Sequence, residues 1–357
     1  MSPEFLFMIG FLLLVTVMLG VDLGIVNKKN HVISFKEAIL WTFVWIGMAL
    51  LFYLLIRFHA EWIHGVDSME KLELLNIKHA HNLKLIPAAD FEVNLDIYRK
   101  AMSLEYITGY LIEKALSVDN IFVMVMIFLS FKVDSKYYHK VLFWGILGAI
   151  IMRFLFIFLS AALIQRFSWI LWIFGGILIV SGIKMFLDRN KKEVKSMRKH
   201  PVVRFASKIM PATRSFYDGK FFVRIRGKRF ITPLFLVLLI IEFSDVIFAV
   251  DSIPAIFSVT LDPYIVFFSN IFAILGLRSL FFVLNNIMDK FTYLTTGLSV
   301  LLVFIGVKML LHGIFHIEIG TSASLLIIVC ILAVSIAASL LFPPRRETVL
   351  SFDQSNP

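Results

Sequence analysis

Glu113-Lys114-Ala115-Leu116-Ser117-Val118-Asp119-Asn120-Ile121 and Asp245-Val246-Ile247-Phe248-Ala249-Val250-Asp251-Ser252-Ile253 are two copies of one pattern: an acid, five residues, a second acid after Val, a small polar residue, then Ile. The match continues in step downstream. Met152-Arg153-Phe154-Leu155-Phe156 pairs with Leu277-Arg278-Ser279-Leu280-Phe281, and Gly182-Ile183-Lys184-Met185 pairs with Gly306-Val307-Lys308-Met309. Three matched elements in the same order read as an internal duplication.

Each copy lies in apolar surroundings. Of the 357 residues 59% are hydrophobic, 37 are Phe and only 17% are charged, the composition of a membrane protein rather than of two soluble domains. Runs of about 20 apolar residues are long enough to cross a hydrocarbon core of about 30 Å as helices. Nine such spans are expected: Phe5 to Val26, Ala38 to Ile56, Leu104 to Phe131, Val141 to Ile164, Ser168 to Leu187, Ile231 to Val259, Tyr264 to Asn285, Tyr293 to Leu311 and Ser322 to Phe342. The fold class is an all-α polytopic bundle. Because each copy of the duplication holds three spans, the second copy is expected upside down relative to the first, as in many secondary transporters.

The expected organisation is two peripheral amino-terminal helices (1–58), an outer loop (59–103), repeat 1 (104–187), a basic loop (188–230), repeat 2 (231–312), and a last helix with its tail (320–357). No Lys or Arg precedes the first span and no small-residue cleavage site follows it, so it reads as a retained anchor. Residues 188–230 carry 14 Lys and Arg against three acids, which assigns that loop and the carboxyl end to the cytoplasm and the amino end to the outside. The net charge of +10 belongs largely to this loop and suits anionic lipid, not nucleic acid. Cys330 is the single cysteine, so an intrachain disulfide and a thiolate metal cluster are both excluded.

An ionisable side chain at bilayer depth costs about 2.5–3.5 kcal/mol on insertion scales and is kept where it faces partners or water. Seven fall near the middle of spans: Glu113, Asp119, Glu242, Asp245, Asp251, Arg153 and Arg278. Five carboxylates against two guanidiniums leave negative charge for a cation or protons to neutralise. With Asn120 and Ser252 as neutral oxygen donors, the set suits a hard dication such as Mn²⁺, Mg²⁺ or Ca²⁺. Arg153 and Arg278 are read as charge-balancing groups, and Asp22 and Glu105, nearer span ends, as gate or interface residues. Six positions place Glu113 and Asp119 about 120° apart on a straight helix, so an interruption is expected there, and Pro254 is expected to kink its helix beside Asp251. Lys184 and Lys308 are expected to snorkel. Gly145, Gly148, Gly175 and Gly176 are expected at close helix contacts. His59, His64, His79, His81, His312 and His316 fall on the outer side, where a release or capture site is the alternative and ordinary solvated side chains are expected.

Gly109-Tyr110-Leu111-Ile112-Glu113-Lys114, Leu116-Ser117-Val118-Asp119-Asn120, Phe248-Ala249-Val250-Asp251-Ser252-Ile253-Pro254-Ala255 and Ser269-Asn270-Ile271-Phe272-Ala273-Ile274-Leu275-Gly276-Leu277-Arg278-Ser279 closely resemble the TerC family of integral membrane proteins, over 106–311. The resemblance implies a bacterial inner-membrane protein linked to Mn²⁺ efflux. Together with the acids, it leads to the expectation of an exporter of divalent metal ions, manganese first, working by alternating access with proton antiport, in which the ion meets Asp119, Asp251 and at least one of Glu113, Glu242 or Asp245. The cargo cation is then the only metal, protons and membrane lipids are the other partners, and no cofactor is permanently bound. A membrane scaffold that metalates or escorts secreted proteins, and a Ca²⁺/H⁺ exchanger, are the alternatives. No His-Glu-x-x-His, Gly-x-Ser-x-Gly or phosphate loop is present, so an enzyme is not expected.

Overall fold

The computed structural model describes residues 2–26, 34–79, 81, 83–167, 169–188, 201–213, 215–217, 219–287, 293–315, 317 and 319–341. In chain order the helices are α1 (Pro3–Val26), α2 (Phe35–His59), α3 (Glu61–His64), α4 (Met69–Lys78), α5 (Phe91–Phe131), α6 (Tyr138–Arg166), α7 (Ile170–Asp188), α8 (Pro201–Ile209), α9 (Pro233–Phe257), α10 (Pro263–Leu275), α11 (Leu277–Ile287), α12 (Leu294–Phe315) and α13 (Thr321–Leu341). A hairpin of β1 (Phe222–Ile225) and β2 (Lys228–Ile231) sits inside the basic loop, turned by Arg226 and Gly227 at positive φ. Eight described helices are long and apolar enough to cross a membrane, and α10 with α11 makes a ninth if that bent pair is one span.

Two boundaries differ from the sequence reading. α5 begins at Phe91 rather than Leu104, so much of the expected outer loop is helix. The extra turns are polar and invisible to a hydropathy window, yet they are tied down laterally. Arg99 forks onto both carboxylate oxygens of Glu61 at 2.7 and 2.6 Å, and Arg57 reaches Asp96 at 2.9 Å. Asn94 clasps both backbone groups of Ile86, at 2.7 and 2.9 Å. The seventh span is broken: α10 and α11 meet at Gly276 with a bend of 43°. Neither of the interruptions expected elsewhere occurs, for α5 is continuous past Glu113 and Asp119, and Pro254 lies in the last turn of an unbroken α9.

Helices of one repeat pack on those of the other. α7 lies along α12, α5 along α9, and α10 packs on both α5 and α6. The α7–α12 seam is made by glycines: a Cβ on Gly306 would stand 2.7 Å from the carbonyl oxygen of Gly175, and one on Gly182 would stand 2.7 Å from that of Ser299. Gly145 is in ordinary contact with Ile241, whereas a Cβ on Gly176 would meet open space, so no close helix contact requires glycine there. α1 and α2 attach to α10 through an aromatic cluster in which Phe11 and Phe52 contact Phe268 and Phe272. Their other faces expose Leu6, Leu13, Phe43 and Leu51, as lipid-facing helices do.

The two ends of the bundle are capped differently. At one end the basic segment folds back, with Lys140 donating to the carbonyl of Gly219 at 2.8 Å and Tyr137 stacked on Phe216. At the other end α3, α4 and the start of α5 cover the α9–α10 turn.

Candidate functional site: a buried charged cluster and a histidine cap

Four helices bring five polar side chains to one point in the bundle. Glu113 comes from α5, Arg153 from α6, Asp245 and Ser252 from α9, and Asn270 from α10; none is more than 5% exposed. The Nη1 atom of Arg153 donates to a carboxylate oxygen of Glu113 in a tight contact and to Asn270 Oδ1 at 2.8 Å, and lies 3.4 Å from Ser252 Oγ. Its Nη2 atom donates to Asp245 Oδ1 at 3.4 Å. Asn270 closes the ring by donating from Nδ2 to the other Glu113 oxygen at 3.2 Å. One guanidinium therefore serves two carboxylates, one from each repeat, and the group carries a net negative charge when both are ionised. Asp245 Oδ2 has no hydrogen-bond partner among the described residues. Asp245 is the one charged group among the described residues lining a void of about 10 Å³ between α5, α6, α9 and α11 that is otherwise apolar.

Glu242 lies one turn before Asp245 on the same face of α9, half-buried. Gly148 of α6 makes room for its carboxylate, because a Cβ there would collide with both oxygens. Gly148 thus spaces a side chain rather than a backbone. Asp251 is not part of the ring: it is half-buried and accepts a hydrogen bond from Ser181 of α7 at 2.8 Å. Asn120 is buried on α5, and Arg278 is buried in the first turn of α11, just past the Gly276 break. Asp119 lies on α5 and Asp22 on α1, but their side chains fall outside the described ones.

Two residues of this region were missed by sequence reasoning. Asn270 is the bridge between Glu113 and Arg153, and the signal was available, for an amide in an apolar span needs a partner as an acid does. Lys114, next to Glu113, donates to the carbonyl of Ala273 at 3.3 Å, one of the groups left without a helical donor where α10 stops.

The histidines of the cap depart most from expectation. His64 and His79 are 1% and 2% exposed, and the side chain of His81 is fully buried; only His59, stacked on Trp62, is open to solvent. Their burial comes from α3 and α4 folding over the α9–α10 turn, a long-range event that local polarity does not announce. His312 and His316 lie outside the described side chains. His64 Nε2 is 2.8 Å from Asp262 Oδ2, and His81 Nδ1 is 3.2 Å from Glu105 Oε1. Burial pushes His79 down to about 4. Burial acts the same way on His81, but the Glu105 carboxylate outweighs it and holds that ring above its ordinary value. For Asp262 burial would raise the carboxyl, yet His64 outweighs it and holds the group well below the usual range. Glu105 is buried in the bundle, and with His81 and Lys308 it lines a cavity of about 450 Å³ floored by Ser258 and Thr260 of the α9–α10 turn. Lys308 is therefore buried against this cavity rather than snorkelling, whereas Lys184 is exposed.

Membrane-length helices packed around a sealed cluster of charged side chains define a polytopic integral membrane protein. The profile of the integral membrane protein TerC family matches residues 98–347, and the chain belongs to that family. It is 42% identical over 332 residues to an uncharacterized membrane protein, STKORF319, of Myxococcus xanthus, covering 93% of this chain and 91% of that one. It is 40% identical over 314 residues to the "Putative membrane-bound redox modulator Alx" of Escherichia coli K12, covering 88% of each. An uncharacterized membrane protein of Rickettsia bellii is 38% identical over 331 residues, covering 93% of this chain and 96% of the relative. No solved structure matches the chain.

Proposed function

We propose that this protein exports a hard divalent cation, Mn²⁺ first, across the bacterial inner membrane in exchange for protons. The observation that carries the proposal is the ring in which Glu113 and Asp245, one acid from each repeat, share the single guanidinium of Arg153. Such a ring is a charge-exchange site: the carboxylates take a dication, and Arg153 takes its place when the ion has left. Asn270 and Ser252 add neutral oxygens, completing a donor set without thiolate or imidazole, the chemistry of Mn²⁺, Mg²⁺ and Ca²⁺. Buried acids that must be neutral or ion-bound also accept protons, which couples the return step to inward proton flow. Glu242 and Asp251, half-buried on the same helix, extend the acidic path in both directions along α9. Asp119, Asn120 and Arg278 belong to the same path in this reading, with rocking of the two repeats as the access change. The basic segment faces the cytoplasm, which puts the histidine cap and its cavity on the release side.

The test is Mn²⁺ flux in liposomes holding only this protein, with a pH-sensitive dye alongside. Mn²⁺ movement with opposing proton movement is expected, and both should vanish in a Glu113→Gln, Asp245→Asn double variant. Unaltered export by that variant would sink the site assignment. No flux of any divalent ion would put the scaffold reading first, and Ca²⁺ outpacing Mn²⁺ would make the protein a Ca²⁺/H⁺ exchanger.

A further inference from the structure

Where α3, α4 and the α9–α10 turn meet, His64, His79 and Asp262 each point a ligand atom at the same small volume. The three atoms lie within 4.8 Å of one another, and all three residues are buried. We infer that this cap holds a first-row transition-metal dication, on two imidazoles and one carboxylate, separate from the acids in the membrane.

Four observations support a built site rather than a chance contact. His79 is 2% exposed, and neither of its ring nitrogens has a hydrogen-bond partner among the described residues. A buried imidazole with both nitrogens unsatisfied costs stability, and a metal ion removes that cost at one of them. Asp262 is held in a single orientation: Oδ1 accepts from the Tyr264 backbone N–H at 2.9 Å as the cap of α10, which leaves Oδ2 aimed at His64. Behind His64, Glu4 Oε1 lies 4.0 Å from Nδ1, beyond hydrogen-bond distance, and adds negative charge on the side of the ring away from Asp262. The approach to the site is also polar. His81, whose ring centroid is 5.6 Å from that of His79, lines the 450 Å³ cavity together with Glu105, each with one buried polar atom lacking a hydrogen-bond partner among the described residues.

Ligands on a tetrahedral ion at about 2.0–2.1 Å are about 3.3–3.4 Å apart, so binding would replace the 2.8 Å His64–Asp262 hydrogen bond by two metal bonds, the pair opening slightly while His79 closes in. Imidazole with carboxylate favours Zn²⁺, Co²⁺ or Ni²⁺ over the hard ions that an all-oxygen site takes. Open positions on the metal would be filled by water or by His81. The ligands come from segments 198 residues apart, so the ion would clamp the α3–α4 cap to repeat 2 beside the cavity.

The inference stands apart from the transport reading, and its test does not involve flux. Tag-free protein stripped with chelator and titrated with Zn²⁺ is expected to bind one tight equivalent by calorimetry. His79→Ala should lose it, while the Glu113→Gln, Asp245→Asn variant should keep it. X-ray absorption on the Zn²⁺-loaded wild-type protein reads the ligands without any mutation and should show imidazole scattering from at least two rings. An all-oxygen shell, no tight equivalent in the wild type, or an equivalent that survives His79→Ala and disappears in the acid variant would overturn the site.

Discussion

Replacing Arg153 by Met is the sharpest probe of the central ring. The side chain is 1% exposed and holds Glu113 at 0% and Asp245 at 5% exposure. Without it Glu113 keeps Asn270 at 3.2 Å and the Ser252 hydroxyl as partners, and Asp245 keeps no hydrogen-bond partner among the described residues. Breaking a buried ion pair by removing one partner costs about 3–5 kcal/mol, because the remaining charge stays desolvated. Here a single removal strands two carboxylates, so the loss should fall at the upper end of that range, about 5 kcal/mol or several thousandfold in the folding equilibrium. Adding Glu113→Gln and Asp245→Asn removes both stranded charges at nearly constant volume. The triple variant should recover most of the loss although it restores no contact. Thermal unfolding in detergent, followed by intrinsic fluorescence for the wild type, the single variant and the triple variant, supplies the comparison. An Arg153→Met protein as stable as wild type, or a triple variant no better than the single, would refute the view that Arg153 exists to balance these two acids.

Two further predictions concern the scaffold. Gly306→Ala should destabilise the bundle by about 1–3 kcal/mol, since its Cβ meets a backbone oxygen that cannot swing aside, while Gly176→Ala, which faces open space, should stay within about 0.5 kcal/mol of wild type in the same melts. At the cap, burial pushes Glu61 up but its two hydrogen bonds from Arg99 outweigh that and hold the carboxyl below 4.5. The stabilisation from a lowered carboxyl is complete above the unfolded value and fades as pH falls through the folded one. Hydrogen exchange at the start of α5 should therefore separate Glu61→Gln from wild type at neutral pH, with the gap shrinking progressively once the pH falls below the ordinary Glu value. A gap that widened toward acid would show that Arg99 is not the cause.

The amino-acid sequence by itself determined the class and, to within the one bent pair, the count of spans. Apolar runs of membrane length are a property of each segment alone, so the expected spans and the described helices agree to within a few residues except at α5 and at the seventh span, which is the bent pair α10 and α11. The duplicated acids were equally legible, and so was the need for Arg153. What the tertiary structure decided was partnership. Glu113 joins Asp245 from the other repeat, not Asp251, which turns to Ser181 on α7. The break in the helices falls at Gly276, where Trp45 of α2 and Lys114 of α5 crowd the backbone, rather than at Pro254. Histidines that look solvated by their polar neighbours are sealed because Glu61, Asp96 and Asn94 anchor the cap over the α9–α10 turn. The physical reason is common to all three. Hydropathy and spacing act within a segment, whereas the partner of a buried charge is chosen by which helices pack together, and that choice depends on contacts between residues far apart in the chain.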